Sequence, residues 1–283
     1  MLDFGVVDTH VHLWDIANIS YPWLADIPLL NRNYLPADYK DAHGEVPVEK
    51  MVFLECDAVP GQEVAEARWV ASLIEEEPRL AGLVPSAPLE SGAAAAEVLD
   101  ELARIPQVKG VRRLIQSQPI GFCVQPRFIE GVRLLERYGF SFDICINHLQ
   151  LANAIEMVRQ CPNVSFILDH IGKPDIKDGL LEPWKTELRE LSRMPNVYCK
   201  VSGMVTESDT ESWKREDLKP YIDHVIESFG PDRVVFGGDW PVVLQAARYT
   251  EWVETLEWAV SGVSQTELRK LFRDNAISFY RLG

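Results

Sequence analysis

Eight short apolar or β-branched runs punctuate this chain, and their spacing constrains its fold more than any other feature. They are Val6 to Leu13, Met51 to Cys56, Ala81 to Pro85, Val108 to Ile115, Ser141 to Asn147, Val164 to Asp169, Val197 to Ser202 and Val234 to Gly238. Each leads into a helical pattern rather than a tight turn, which is the signature of βα units and a parallel sheet. Phe128, Val132 and Leu135 fall at i, i+4 and i+7, and Tyr221, Ile222, Val225, Ile226 and Phe229 form a second such stripe. Helices coating a sheet need one apolar face of this kind. Ser264 with Glu267 three residues on forms a capping box for a closing helix through Leu268, Leu271 and Phe272. With no internal repeat and no Ser/Gly-rich linker, the expectation is one α/β domain over residues 1–283. Its fold is a single closed (β/α)8 TIM-type barrel with the active site at the C-terminal ends of the strands. A doubly wound open sheet is the alternative. No run leads into a Gly-x-Gly-x-x-Gly turn or a Gly-Lys-Ser/Thr loop, so no nucleotide cofactor is expected.

Composition narrows the partners. The 43 acidic side chains exceed the 28 basic ones, leaving a net charge of −15 that repels phosphate backbones and anionic bilayers. Neither nucleic acid nor membrane is expected as a partner. The N-terminus lacks a basic stretch followed by a long apolar region, which points to a cytoplasmic location. The five cysteines, Cys56, Cys123, Cys145, Cys161 and Cys199, contain no C-x-x-C pair and sit mostly in apolar runs, so they read as reduced core residues.

Candidate chemistry gathers at one end of the runs. Asp8-Thr9-His10-Val11-His12 places two imidazoles at i and i+2, on one face of the first strand and therefore together in the barrel mouth. Glu55, His148, His170, Lys200 and Asp239 end later strands, and either Arg112 or Arg113 ends the fourth. By the two-residue period only one arginine faces inward; Arg112, which shares a face with Gly110, is preferred. Glu55 and Lys200 could instead pair with each other, and His148 could cap the helix that follows. Asp239, in Gly237-Gly238-Asp239-Trp240-Pro241, is the candidate base, because two glycines permit close approach and Pro241 ends the strand. Capping of the next helix is the other use of such an aspartate. The long segment 15–48 after the first strand carries Tyr21, Trp23, Tyr34 and Tyr39 and reads as a lid or pocket wall. His10, His12 and Asp239 match a mononuclear zinc or similar divalent site. The same groups could polarise a carbonyl by hydrogen bonding alone, with Arg112 supplying charge.

These elements together resemble the amidohydrolase superfamily, and within it the lactonase branch. The stretches that carry the likeness are Asp8-Thr9-His10-Val11-His12-Leu13-Trp14-Asp15, Tyr21-Pro22-Trp23-Leu24, Gly110-Val111-Arg112, Leu168-Asp169-His170-Ile171-Gly172-Lys173-Pro174, Lys200-Val201-Ser202-Gly203, Gly238-Asp239-Trp240-Pro241 and Asn275-Ala276. The resemblance implies active-site roles for His10, His12, His170 and Asp239, with Asp239 as general base for the attacking water. It also implies that no cofactor is strictly required, or that one divalent cation, zinc first, is bound.

Substrate class follows from what the mouth offers. A dicarboxylate calls for several guanidinium groups. Trp14, Tyr21, Trp23 and Trp240 suit the apolar face of a sugar ring, with Arg112, Glu55, Lys200 and His148 to bind its polar groups. The expected activity is hydrolytic opening of a neutral sugar lactone. The alternatives are a metal-dependent decarboxylase of the same superfamily, a phosphodiesterase disfavoured by the negative charge, and a non-enzymatic sugar-binding protein.

Overall fold

The computed structural model describes residues 2–283, and each of the eight apolar runs overlaps a strand. The strands are β1 (Val6–Val11), β2 (Val48–Leu54), β3 (Leu80–Val84), β4 (Gly110–Arg112), β5 (Ser141–Ile144), β6 (Phe166–Leu168), β7 (Val197–Val201) and β8 (Val234–Phe236). All neighbouring pairs are parallel, in the order β1-β2-β3 and β4-β5-β6-β7-β8. Two seams join these sheets. Between β3 and β4, Leu83 N–H donates to Gln107 O (2.8 Å) and Arg112 N–H to Pro85 O (2.9 Å). Between β8 and β1, Val11 bridges Trp240, Asp239 N–H donates to His10 O (2.8 Å) and His12 N–H to Trp240 O (2.8 Å). The closing seam therefore runs through the residues expected to do the chemistry.

Helices form where the sequence provides a stripe and caps. The helix α1 (Pro36–His43) lies within the long segment after β1, and α2 (Glu63–Ser72), α3 (Ala96–Leu102), α4 (Pro126–Tyr138), α5 (Leu151–Gln160), α6 (Trp184–Leu191), α7 (Arg215–Phe229) and α8 (Tyr249–Ala259) follow. In α4 the buried residues include Phe128, Val132 and Leu135, Pro126 opens the first turn, and Gly139 ends it with φ 65°. The Ser264–Glu267 capping box opens α9 (Gln265–Arg269), and α10 (Asn275–Tyr280) closes the chain. Among the described residues no helix is long and apolar enough to cross a membrane.

The barrel interior is layered. Val7, Val52, Leu54, Val84, Ile167 and Val235 pack with Phe279, Tyr280 and Leu282 from the C-terminal segment, sealing the end where the strands begin. Above this apolar plug lies a charged layer. Lys200, fully buried, pairs with Asp169 (2.8 Å) and Asp143 (3.0 Å), and the Tyr280 hydroxyl donates to Asp143 Oδ2 (2.6 Å). Buried charges persist only when partnered, and here each cation meets two or more acceptors. The cavity opens above that layer.

Candidate active site

Asp239 sits at the seam in a left-handed conformation, φ 55°, which an aspartate tolerates better than most residues. The glycines before it are required by space. A Cβ on Gly237 would lie 2.8 Å from His10 Cβ, and one on Gly238 would lie 2.4 Å from Asp8 Oδ2. Asp239 Oδ1 stands 3.5 Å from His12 Nε2 and 3.6 Å from His10 Nε2, while Oδ2 is 4.0 Å from His170 Nδ1. Burial opposes ionisation of this carboxyl, but His170, His12 and Lys173 together outweigh it and hold it below the ordinary aspartate range. His10 and His170 go the other way: burial, reinforced by Lys200 around His10 and by Lys173 and Arg112 around His170, holds both well below the usual imidazole value. At neutral pH the site therefore holds the Asp239 carboxylate beside the neutral imidazoles of His10 and His170.

Arg112 is the inward-facing arginine, while Arg113 turns outward to Glu90 (2.7 Å). Arg112 Nε donates to Glu55 Oε1 (2.7 Å), Nη2 to the Glu55 carbonyl (2.7 Å), and Nη1 to Asp169 Oδ2 (3.1 Å). Nη1 also lies 3.2 Å from His10 Nε2, and Lys200 Nζ lies 3.3 Å from His10 Nδ1. His10 is thus a fully buried strut between two cations.

The cavity over these groups measures about 300 Å³, a size suited to a small ligand. His12, Trp23, Glu55, Arg112, His170 and Asp239 line it, as the strand-end positions lead one to expect. Trp23 and Ile27 bring the 15–48 segment into the wall, and Trp23 is held by an Nε1–H bond to Cys56 O (2.8 Å). Five expected ligand-binding residues lie elsewhere; Tyr21 is buried beside Trp14, their ring centres 6.4 Å apart. Lys200 is beneath the floor, its ammonium consumed by Asp169 and Asp143. Trp14 lies behind Trp23, packed edge-on at 5.7 Å with its Nε1–H on Arg32 O. Trp240 is enclosed between Tyr34 and Tyr39, each ring centre 5.3 Å away. His148 donates through Nδ1 to Lys173 O (3.1 Å) and stays outside the wall. Nor do Glu55 and Lys200 pair with each other, since Arg112 takes Glu55.

Asp8 points away from the cavity, to Tyr39 and Tyr249 in the helix layer, because an irregularity between Asp8 and Val11 breaks the two-residue period of β1. Several residues that sequence reasoning passed over do belong to the site. Asp169 and Lys173 flank His170, and Gln116, Thr206 and Gln245 complete the wall. Cys56 and Cys145 line it too, but burial pushes the Cys145 thiol up to about 11 and that of Cys56 well above the usual thiol value. Neither is poised as a thiolate. All five cysteines are free and buried.

A divalent cation fits this donor set. The 3.5 and 3.6 Å separations from Asp239 Oδ1 approach the ~3.3 Å edge of a tetrahedron with zinc–ligand bonds near 2.05 Å. The donors of His10, His170 and Asp239 all lie within 4.8 Å of one another, so His170 joins the compact group where His12 was expected.

The family model described as Amidohydrolase matches residues 7–282. The chain belongs to the amidohydrolase family. This amidohydrolase is 30% identical to the L-fucono-1,5-lactonase of Burkholderia multivorans, over 98% of this chain and 96% of that one. It is 27% identical to the L-rhamnono-gamma-lactonase of Scheffersomyces stipitis over the full length of both. The crystal structure of a Burkholderia multivorans amidohydrolase with bound zinc superposes with a TM-score of 0.89 at 30% identity, covering 99% of this chain and 100% of the other.

Proposed function

We propose that this amidohydrolase opens the ring of a sugar lactone by adding water to its carbonyl, with Asp239 as the base. The observation that carries the reading is the ionised Asp239 carboxylate facing His12 and His170 on the floor of a small cavity. The lactonase relatives, aligned over nearly the whole chain, support the substrate class.

A water held between Asp239 and the carbonyl carbon gives its proton to the carboxylate as the carbon–oxygen bond forms. Charge then develops on the carbonyl oxygen. An N–H of His170 and the positive field of Arg112 lie close enough to stabilise that charge with little reorganisation. His10 holds Arg112 and the floor in place. When the tetrahedral intermediate collapses, the ring oxygen departs and Asp239 returns the proton, leaving a hydroxy acid. A zinc ion held by His10, His170 and Asp239, with His12 adjacent, would add Lewis-acid polarisation to the same site.

Trp23 offers an apolar face, and Glu55, Gln116, Thr206 and Gln245 offer hydroxyl partners. That lining suits a neutral polyhydroxylated ring. We read the chain as one barrel domain with segment 15–48 as one wall of the pocket. Acid release from a panel of sugar lactones by the purified protein tests the reading.

A further inference from the structure

Immediately after β6 the backbone does something L-residues avoid. His170, Ile171, Gly172 and Lys173 have φ of 51°, 50°, 78° and 49°, a left-handed turn four residues long. Left-handed helical backbone costs roughly 1–2 kcal/mol per non-glycine residue, and β-branched Ile171 is among the least tolerant. Such strain persists only where surrounding contacts over-determine it. Here Trp184 Nε1–H donates to Ile171 O (2.7 Å), Lys173 N–H to His170 O (2.8 Å), and His148 Nδ1–H to Lys173 O (3.1 Å). Ser202 Oγ lies 3.0 Å from His170 Nδ1. The outcome is that two side chains three residues apart, His170 and Lys173, both face the cavity.

Lys173 differs from the other cations nearby. Arg112 spends its donors on Glu55 and Asp169, and Lys200 lies below the floor. Among the described residues the Lys173 ammonium forms one ion pair, with Glu207 Oε1 at 3.5 Å, which leaves donors for a ligand. Ester hydrolysis generates charge on two oxygens in turn, the carbonyl oxygen during addition and the ring oxygen during collapse. The floor serves the first; Lys173, among the described residues that line the cavity, is the cation with donors to spare for the second.

We propose that Lys173 is a catalytic residue that hydrogen-bonds the departing ring oxygen, and that the left-handed turn, pinned by His148 and Trp184, exists to hold it there. This rests on the lactone-opening reading. As the acyl carbon–oxygen bond breaks, its electron pair goes to the ring oxygen, which takes the proton that Asp239 drew from water. Lys173 keeps its proton and its charge throughout. His148 acts through Lys173 and is a positioning residue.

The experiment measures kcat and KM for wild type, K173Q and K173R on the sugar lactone that wild type opens fastest, and on dihydrocoumarin, whose leaving phenoxide needs far less stabilisation. Loss of one such donor lowers kcat by about 100-fold or more. That loss is expected for K173Q on the sugar lactone, with KM within about threefold, a clearly smaller loss on dihydrocoumarin, and partial recovery in K173R. Should K173Q melt early, K173M serves the same comparison. If dihydrocoumarin is not turned over, the kcat-against-KM split alone decides. Equal losses on both substrates, or an effect confined to KM, overturn the proposal while leaving the lactonase reading intact. Wild type inert on every lactone overturns both.

Discussion

Asp8 Oδ1 accepts the backbone N–H of Gly238 at 2.7 Å, tying the first strand to the residue before Asp239. The same oxygen accepts His10 N–H (2.9 Å), and Oδ2 accepts the hydroxyls of Tyr39 (2.8 Å) and Tyr249 (3.0 Å). Four donors converge on one fully buried carboxyl, whose shape thereby sets the spacing between His10 and the base. Asp8→Asn places an amide NH2 against at least one of these donors. An unmet buried partner costs about 1–3 kcal/mol. A urea midpoint shifted by that amount, together with reduced activity, is expected; unaltered stability contradicts the assignment.

Asp239→Asn keeps the size of the side chain and removes its basicity. Loss of a positioned base lowers turnover about 10²–10⁴-fold. Circular dichroism and the melting curve should remain those of wild type. Near-normal turnover in this variant would refute the role given to Asp239.

Gly203 has φ 60°, and a Cβ there would lie 2.3 Å from His170 Nδ1 and 3.1 Å from Asp239 Oδ2. Alanine in that conformation costs roughly 1–2 kcal/mol. Displacing a catalytic group by about 1 Å can cost 100-fold in rate. Gly203→Ala is therefore expected to lose far more activity than stability, as paired thermal melts and rate measurements would reveal.

Glu66 predicts a pH effect on stability. Burial, helped by the nearby Glu55 charge, pushes its carboxyl up to about 8. An unfolded glutamate releases its proton near the ordinary value of 4.5, so between that pH and about 8 the folded state binds the extra proton. Stability then falls as pH rises, by at most about 1.4 kcal/mol per pH unit from this group. Glu66→Gln should flatten that part of the profile and leave the variant more stable than wild type at pH 8.5. Parallel profiles for the two proteins, measured by urea unfolding from pH 5 to 8.5, would rule the effect out.

The barrel was legible because its signal is repeated. Apolar strands alternating with amphipathic helices leave few architectures, and every run overlaps a strand. The two-residue period limited the inward arginine to one, and the shared face with Gly110 favoured Arg112, which is the one that faces inward. Depth was not legible. Strand-end position says which end of the barrel a residue occupies, not whether it reaches the cavity, so Lys200, Trp14 and Trp240 were expected in the wall yet lie beneath or behind it. Lys173 escaped for another reason: Gly172 and Pro174 announce a turn, but not that His170, Ile171 and Lys173 all take left-handed backbone and so bring Lys173 to the cavity. Asp8 was not legible either, because the irregularity in β1 turns it to the helix side while His10 faces inward.

The central claim is hydrolysis of a sugar lactone, and the most direct measurement is acid release by purified protein across a panel of aldonolactones, followed with a pH indicator before and after chelation. Ring-opened hydroxy acid from at least one lactone, lost in Asp239→Asn, is the result predicted. Retention of that rate after chelation assigns the positive charge to Arg112, and loss reversed by zinc assigns it to a bound cation. Silence on every lactone, with carbon dioxide released from an aromatic carboxylic acid instead, would contradict the account.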